Sequence, residues 1–392
     1  MPAVPTFHLG PVQMVGLAAF GFVLGACIKK RITILDRLNI PTSIVGGLVY
    51  ALAVLALRDR WLNIDIDTGV RDLFMMGFFT TVGMSASWRL VREGGLHVVW
   101  MLGLATAGAV VQNAVGMGLF KVFGLNPLLG IISGAAALTG GPVTTLAFGP
   151  TFEKLGVAGA TTLGVASATF GITMAGLLSG YVGGWYILRR ALKPAPPREE
   201  AARAKAETGS SMLANAIAVG VAMGIGSIIS AGIDRLGVIL PAYIGAMIAA
   251  AVIRNLDDRF GFLHVSQPRM SEIGAVSLSL FIVMAMLTLK LWELTSLAAP
   301  VLIVLLVQVV LGFGMCAVTF RVLGRDYESA IMTAGFYGFM LGMTANALAS
   351  MDELVRKYGP APRSYLVVPI VGAFLIDFTN ALVITVMMNL WR

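Results

Sequence analysis

The chain has 392 residues, of which 57% are hydrophobic and 12% charged, with a mean hydropathy of +0.86 and a net charge of +8. Soluble domains carry about 25% charged residues, so an ordinary soluble fold is excluded and most apolar surface must face lipid or the inside of a helix bundle. The basic residues lie in short segments between hydrophobic stretches, which fits topology signals and not a nucleic-acid surface.

In chain order, the first nine residues hold no Lys or Arg, and the stretch that follows is long enough to stay in a bilayer, so no cleaved leader is expected. A crossing helix needs about 20 apolar residues. The first half offers spans near 10–28, 41–57, 70–87, 96–120 and 161–188. The second offers 212–232, 238–254, 270–289, 297–320 and 364–388. Gly21 with Gly25, and Gly220 with Gly224, have the spacing that lets two helices pack closely. The two cysteines, Cys27 and Cys316, fall inside apolar spans and read as packing residues, not a disulfide.

Two further apolar segments, 127–149 and 327–351, are rich in Gly, Ala, Ser and Thr, and each lies between the fourth and fifth spans of its half. Interrupted backbone at membrane depth is tolerated only beside protein or a water-filled cavity. Both segments are therefore expected to be re-entrant hairpins or broken helices.

The halves resemble each other at a spacing of about two hundred residues. Pro41 and Ile44 correspond to Pro241 and Ile244, and Lys121-Val-Phe-Gly-Leu-Asn126 corresponds to Arg321-Val-Leu-Gly-Arg-Asp326. With the N-terminus outside and both glycine-rich segments returning to their own side, 20 of the 28 Lys and Arg fall in cytoplasmic segments. Five spans per half is an odd number, so the second half inserts upside down. The expected fold is an all-α polytopic membrane protein of two inverted-topology repeats. The first repeat covers 1–188, a polar cytoplasmic linker 189–211, and the second repeat 212–392.

Helix N-termini at re-entrant tips suit an anionic group. The first tip is Thr139-Gly140-Gly141-Pro142-Val143-Thr144-Thr145, and the second runs from Gly338 through Gly342 and Thr344 to Asn346. Thr139, Gly140, Gly141, Thr144, Thr145, Gly338, Gly342, Thr344 and Asn346 are the candidate substrate contacts. Asp377 lies mid-span, with no other charge within ten residues. A carboxylate there costs a few kcal/mol on insertion scales, so it should face a partner or a cavity. A cation ligand, or a partner for a substrate ammonium, is its expected role, with Asn380 three residues on and sharing its face. Thr169 and Thr173, in the matching span of the first half, are further cation candidates. Gln112, Asn113 and Gln308 suit hydrogen bonds between helices. His8, His97 and His264 stand at span ends and suggest no metal cluster, and neither a nucleotide-binding P-loop nor an HExxH motif occurs.

Several segments give the chain a resemblance over nearly its whole length. They include Ile40-Pro41 with Gly46-Gly47, Gln112-Asn113-Ala-Val-Gly, Ala168-Thr169-Phe170-Gly171 and Lys290-Leu-Trp292-Glu293. The most specific is Val367-Val-Pro369-Ile-Val-Gly372-Ala-Phe-Leu-Ile-Asp377-Phe-Thr-Asn380. In these the chain resembles the bacterial sodium/glutamate symporter family. The resemblance implies sodium-coupled uptake of glutamate by a homodimer in the bacterial inner membrane. It also implies five-plus-five inverted topology, two re-entrant loops, and a transport domain that moves against a dimerisation scaffold. The tips depart from the family pattern: Gly140-Gly141-Pro142-Val143-Thr144 replaces Gly-Gly-x-Gly, and Gly342-Met343-Thr344-Ala345-Asn346 replaces Gly-x-Thr-Pro-Thr.

The resulting expectation is a secondary active transporter, not an enzyme. It would carry glutamate or a related small carboxylate with Na+ as coupling ion and no cofactor, by an alternating-access movement that the resemblance makes elevator-like. Both termini would be outside. A carrier of the same fold for another amino acid or organic anion, coupled to protons or sodium, is the alternative reading, and an ion channel a more distant one.

Overall fold

The computed structural model describes residues 4–37, 40–194, 211–235, 241–293 and 298–391. A short strand β1 (Thr6–Leu9) precedes α1 (Pro11–Arg31), α2 (Thr33–Arg37) and α3 (Thr42–Leu57). Strand β2 (Asn63–Ile66) then pairs in parallel with β1, a small addition to the expected all-α architecture. The first half continues with α4 (Gly69–Ser85) and α5 (Trp88–Val122), which is broken at Gly95 where φ is +66°. Three pieces follow, α6 (Leu129–Ile132), α7 (Ala135–Leu138) and α8 (Gly141–Lys154), and then the long α9 (Ala160–Arg189). Most of the expected linker 189–211 lies outside the described residues.

The second half repeats the order: α10 (Met212–Asp234), α11 (Ala242–Phe260), α12 (Gln267–Leu287) and α13 (Ala298–Val322). A broken pair, α14 (Tyr327–Leu341) and α15 (Thr344–Tyr358), follows. The last crossing is α16 (Pro362–Ile370), a π-helical turn (Val371–Leu375) and α17 (Ile376–Leu390).

Among the described residues, seven helical stretches are long and apolar enough to cross a membrane. Three of the ten expected spans fall short of that standard. Helices α3 and α4 have 16 and 17 residues, and α11 ends in the charged run Arg254 to Arg259. At 1.5 Å per residue α3 is about 24 Å long, less than the ~30 Å hydrocarbon core. Both α3 and α4 pack against α12, which is fully long enough.

Packing sorts the helices into two bundles. One contains α1, α3, α4, α10, α11 and α12, the early helices of both halves. The other contains α5 to α9 and α13 to α17. The halves match locally. Both α3 and α11 follow a proline cap, Pro41 and Pro241, with φ/ψ of −57°/139° and −53°/137°. Each then crosses the long helix before it, α1 or α10, at glycines. A methyl on Gly46 would strike the Gly21 carbonyl, and one on Gly245 would strike the Gly226 carbonyl. Gly21 and Gly25 thus pack as their spacing suggests. Gly220 and Gly224 do not, since nothing lies within 4 Å of where their Cβ atoms would be. The close crossing has moved to Gly226.

At the polar end of α11, Asp257 accepts the backbone N–H groups of Leu263 (2.6 Å), His264 (3.0 Å) and Val265 (2.8 Å). Burial pushes its carboxyl up, but these three donors and the nearby Arg254 outweigh that and hold it below its usual value.

Candidate functional site

The interruption of the first glycine-rich segment follows from its residues. Gly141 has a φ of +69°, which suits glycine, and Pro142 lacks an N–H at the first turn of α8, where no intrahelical partner exists. Side chains of α5 and α17 satisfy the backbone groups freed at the break. Asn113 Oδ1 accepts from the Ala135 N–H at 2.8 Å, and Asn380 Nδ2 donates to the Ala135 carbonyl at 3.0 Å. One turn away, the Thr139 hydroxyl donates to Gln112 Oε1 at 2.7 Å.

The second interruption is tied to the first through the same glutamine. Gln112 Nε2 donates to the Met340 carbonyl near the end of α14 at 2.8 Å. Gln308 Nε2 in turn donates to the Gln112 carbonyl at 2.7 Å. The three amides therefore bridge helices, and they do so at the broken ends. Gly342 passes so close to α9 that an added Cβ would lie 2.7 Å from that of Ala175. Beyond it, the Thr344 hydroxyl donates to the Gly372 carbonyl at 2.6 Å, within the π-helical turn that precedes Asp377.

These pieces enclose a cavity of about 80 Å³. Thr139, Gly140, Val143 and Thr144 line it from the first tip, and Gly342, Met343 and Thr344 from the second. Gly372 and Asp377 line it from the last crossing, while Phe78, Phe79 and Leu278 close it from the other bundle. Asp377 has no hydrogen-bond or ion-pair partner among the described residues. The N-termini of α8 and α15 reach the cavity without a side-chain cap. Helix N-termini carry about +0.5 charge each and leave N–H groups free. The space therefore offers positive backbone ends to an anion and a carboxylate to a cation.

A larger cavity of about 670 Å³ lies beyond, bordered by Arg71, Asp72, Met76, Lys154, Asp234 and Tyr243. The Tyr243 ring stacks on Phe79 at 4.3 Å, and Phe148 of α8 meets Tyr243 edge-on at 5.5 Å. Phe79 borders the small cavity and Tyr243 the large one, so this aromatic trio stands between them and also joins the bundles.

Of the residues expected from sequence, Thr139, Gly140, Thr144, Gly342, Thr344 and Asp377 share the cavity. Gly141 forms the turn beside it. Thr145 donates to the Pro142 carbonyl and packs on Gly164, facing α9. Gly338 supports close contact between α14 and α15 at Ala347. Asn346 donates to the Ile172 carbonyl at 2.9 Å, leaving its Oδ1 buried and unpaired, and Asn380 Oδ1 is likewise unpaired. Thr169 and Thr173 donate to carbonyls of their own helix and do not line the cavity. Sequence reading missed Phe78, Phe79, Leu278 and Phe339. Apolar residues inside spans carry no local signal that they wall a site.

The pattern of a family described as "Sodium/glutamate symporter" matches residues 7–360. The chain is 36% identical over 391 residues to the sodium/glutamate symporter of Escherichia coli (strain K12), covering 96% of this chain and 97% of that one. It is 31% identical over 398 residues to the sodium/glutamate symporter of Haemophilus influenzae, covering 97% and 98%. Among solved structures it is similar to a sodium proton antiporter from Methanocaldococcus jannaschii, at 16% identity, a TM-score of 0.45 and coverage of 97% and 98%.

Proposed function

The chain belongs to the sodium/glutamate symporter family, and on that premise we propose that it carries glutamate or a closely related small carboxylate across the membrane together with Na+. The observation that carries the reading is the shared cavity. Two uncapped helix N-termini and the partnerless Asp377 face one space at the boundary between two bundles. The substrate carboxylates would take the N–H groups and hydroxyls of the tips, Thr139, Thr144 and Thr344 among them. Asp377 would take Na+, with the unpaired oxygen of Asn380 on the same helix as a further ligand. Asn346 Oδ1, with Thr169 and Thr173 on the adjoining helix, supplies oxygens for a second cation position.

Transport would proceed by alternating access. The bundle holding both tips and Asp377 would move as a unit past the bundle of α1, α3, α4 and α10 to α12, in an elevator-like displacement. The Gln112 bridge supports this, because it ties the tips to each other and not to the second bundle. The topology proposed with it has ten crossings in two inverted repeats, 1–188 and 212–392, and the broken segments re-enter from opposite sides. The distribution of Lys and Arg supports it, with 20 of 28 on the cytoplasmic side. A homodimer in the inner membrane of a bacterium, with both termini outside, completes the reading.

One observation favours a second reading. Val143 borders the cavity and is buried, at a tip position where the family pattern has glycine. Its side chain occupies space beside the free N–H groups, so a different amino acid or organic anion, coupled to Na+ or protons, would fit this cavity.

The test is uptake by the purified protein in proteoliposomes, with labelled glutamate and a panel of small carboxylates under an inward Na+ gradient, a proton gradient or neither. Na+-dependent accumulation of glutamate is the expected result. Accumulation of another carboxylate alone would establish the second reading. Passive, gradient-independent flux would contradict both.

A further inference from the structure

Between α9 and α13, away from the tips, an apolar groove of about 460 Å³ opens on the surface of the protein. Its walls include Leu178, Tyr181, Val182, Trp185, Phe313 and Ala317. Tyr181 is 78% exposed and Trp185 51%. The two helices finish side by side, since the rings of Tyr186 and Phe320 stack at 4.2 Å near their ends. Beyond this pair each helix ends in arginine, Arg189 and Arg190 at the end of α9 and Arg321, next in sequence to Phe320, at the end of α13. The Arg189 guanidinium lies 4.9 Å from the centre of the Trp185 ring, and that of Arg190 lies 5.2 Å from the Phe320 ring. None of the three forms an ion pair among the described residues.

We propose that this groove binds one molecule of an anionic phospholipid, with an acyl chain along Trp185 and Phe313 and the phosphate among Arg189, Arg190 and Arg321. Aromatic side chains at the membrane boundary tolerate an apolar body beside a polar headgroup. Arginine forks suit phosphate oxygens, and basic pockets between transmembrane helices hold acidic headgroups. A second copy of the chain fits less well. A symmetric contact places the same patch on both sides, which would set these arginines against their own copies. The inference depends on α9 and α13 crossing a bilayer and is independent of the transported substrate.

The test uses the full chain with Trp185 as its only tryptophan, the other five replaced by phenylalanine. It is reconstituted in zwitterionic vesicles containing a small, equal fraction of brominated phosphatidylglycerol or brominated phosphatidylcholine. Bromine quenches nearby indole fluorescence. We expect quenching by the anionic lipid to exceed that by the zwitterionic one several-fold, and the R189Q/R190Q/R321Q variant to lose that preference. Equal quenching by the two lipids would overturn the proposal. So would protection of Trp185 from both, which would mean that protein covers the groove. Should the single-tryptophan chain fail to fold, the same comparison is read as the difference between the unmodified protein and Trp185→Phe.

Discussion

Gln112 and Met340 come from opposite halves of the chain, yet the Gln112 amide donates to the Met340 carbonyl at 2.8 Å while its oxygen accepts the Thr139 hydroxyl. One buried side chain thereby holds both interrupted segments in register around the cavity. Leucine fills a similar volume but satisfies neither partner, and an unsatisfied buried group costs about 1–3 kcal/mol. Gln112→Leu should lower the thermal midpoint of the purified protein by several degrees and depress transport rate more than substrate affinity. An unchanged midpoint in a fluorescence-detected melt would mean that the bridge contributes little.

Gly141 makes the turn into α8 with a φ of +69°. Any residue with a Cβ is disfavoured there by roughly 1–2 kcal/mol. Space is not the obstacle, since the nearest heavy atoms to an added Cβ are 3.9 Å away. Gly141→Ala should therefore cost backbone strain alone, and it should weaken substrate binding by re-aiming the α8 N–H groups. Equilibrium binding of labelled substrate and a thermal melt together check this; wild-type values in both would remove the turn from the account.

Acid should loosen the end of α11 and the start of α14 first. Asp257 and Asp326 are both subject to burial that raises their carboxyls, yet hydrogen bonds and neighbouring arginines hold each below its usual value. For Asp326 these are the Ser329 side chain, Arg363 and the Ser329 N–H. A depressed carboxylate stabilises the fold fully above its unfolded value of about 3.9, and that stabilisation disappears as pH falls through the lower folded value. The thermal midpoint should be flat from pH 7 to pH 5 as far as these groups contribute, and should fall below pH 4. Asp257→Asn should show a lower midpoint at pH 7 and a smaller loss in acid. A variant that tracked the wild type at every pH would contradict this assignment.

Phe78 and Met343 border the same cavity from different bundles. In a background lacking Cys27 and Cys316, cysteines at these two positions should react with a short reducible bis-thiosulfonate. If one bundle must slide past the other, the cross-linked protein should lose uptake and regain it on reduction. Full uptake with the cross-link in place would exclude the sliding movement.

The bundle composition is not visible in the sequence. Pro41 and Pro241 mark equivalent helix starts because the same cap is used twice. The broken segments were legible because glycine and proline leave a local signature at Gly141 and Pro142. Asp377 stood out because an isolated charge in an apolar span is costly. The walls of the cavity were hidden, since Phe79 and Leu278 differ in no local way from lipid-facing neighbours and their role depends on which helices meet. The hydroxyls of Thr169 and Thr173 are plain in the sequence, but that each donates to its own helix, leaving only its oxygen lone pairs to a ligand, depends on the rotamer in the fold. The π-helical turn before Asp377 has no local signature in the sequence.

If Asp377 couples cation binding to substrate binding across one cavity, equilibrium binding reads that coupling without the transport step. Affinity for labelled glutamate, or for the carboxylate found to be carried, is measured on the purified protein over a series of Na+ concentrations at constant ionic strength, for wild type and Asp377→Asn. Coupling between two sites is reciprocal, so wild-type affinity should rise with Na+ while the variant stays insensitive. An Asp377→Asn protein whose affinity rose with Na+ as steeply as the wild type's would contradict the account.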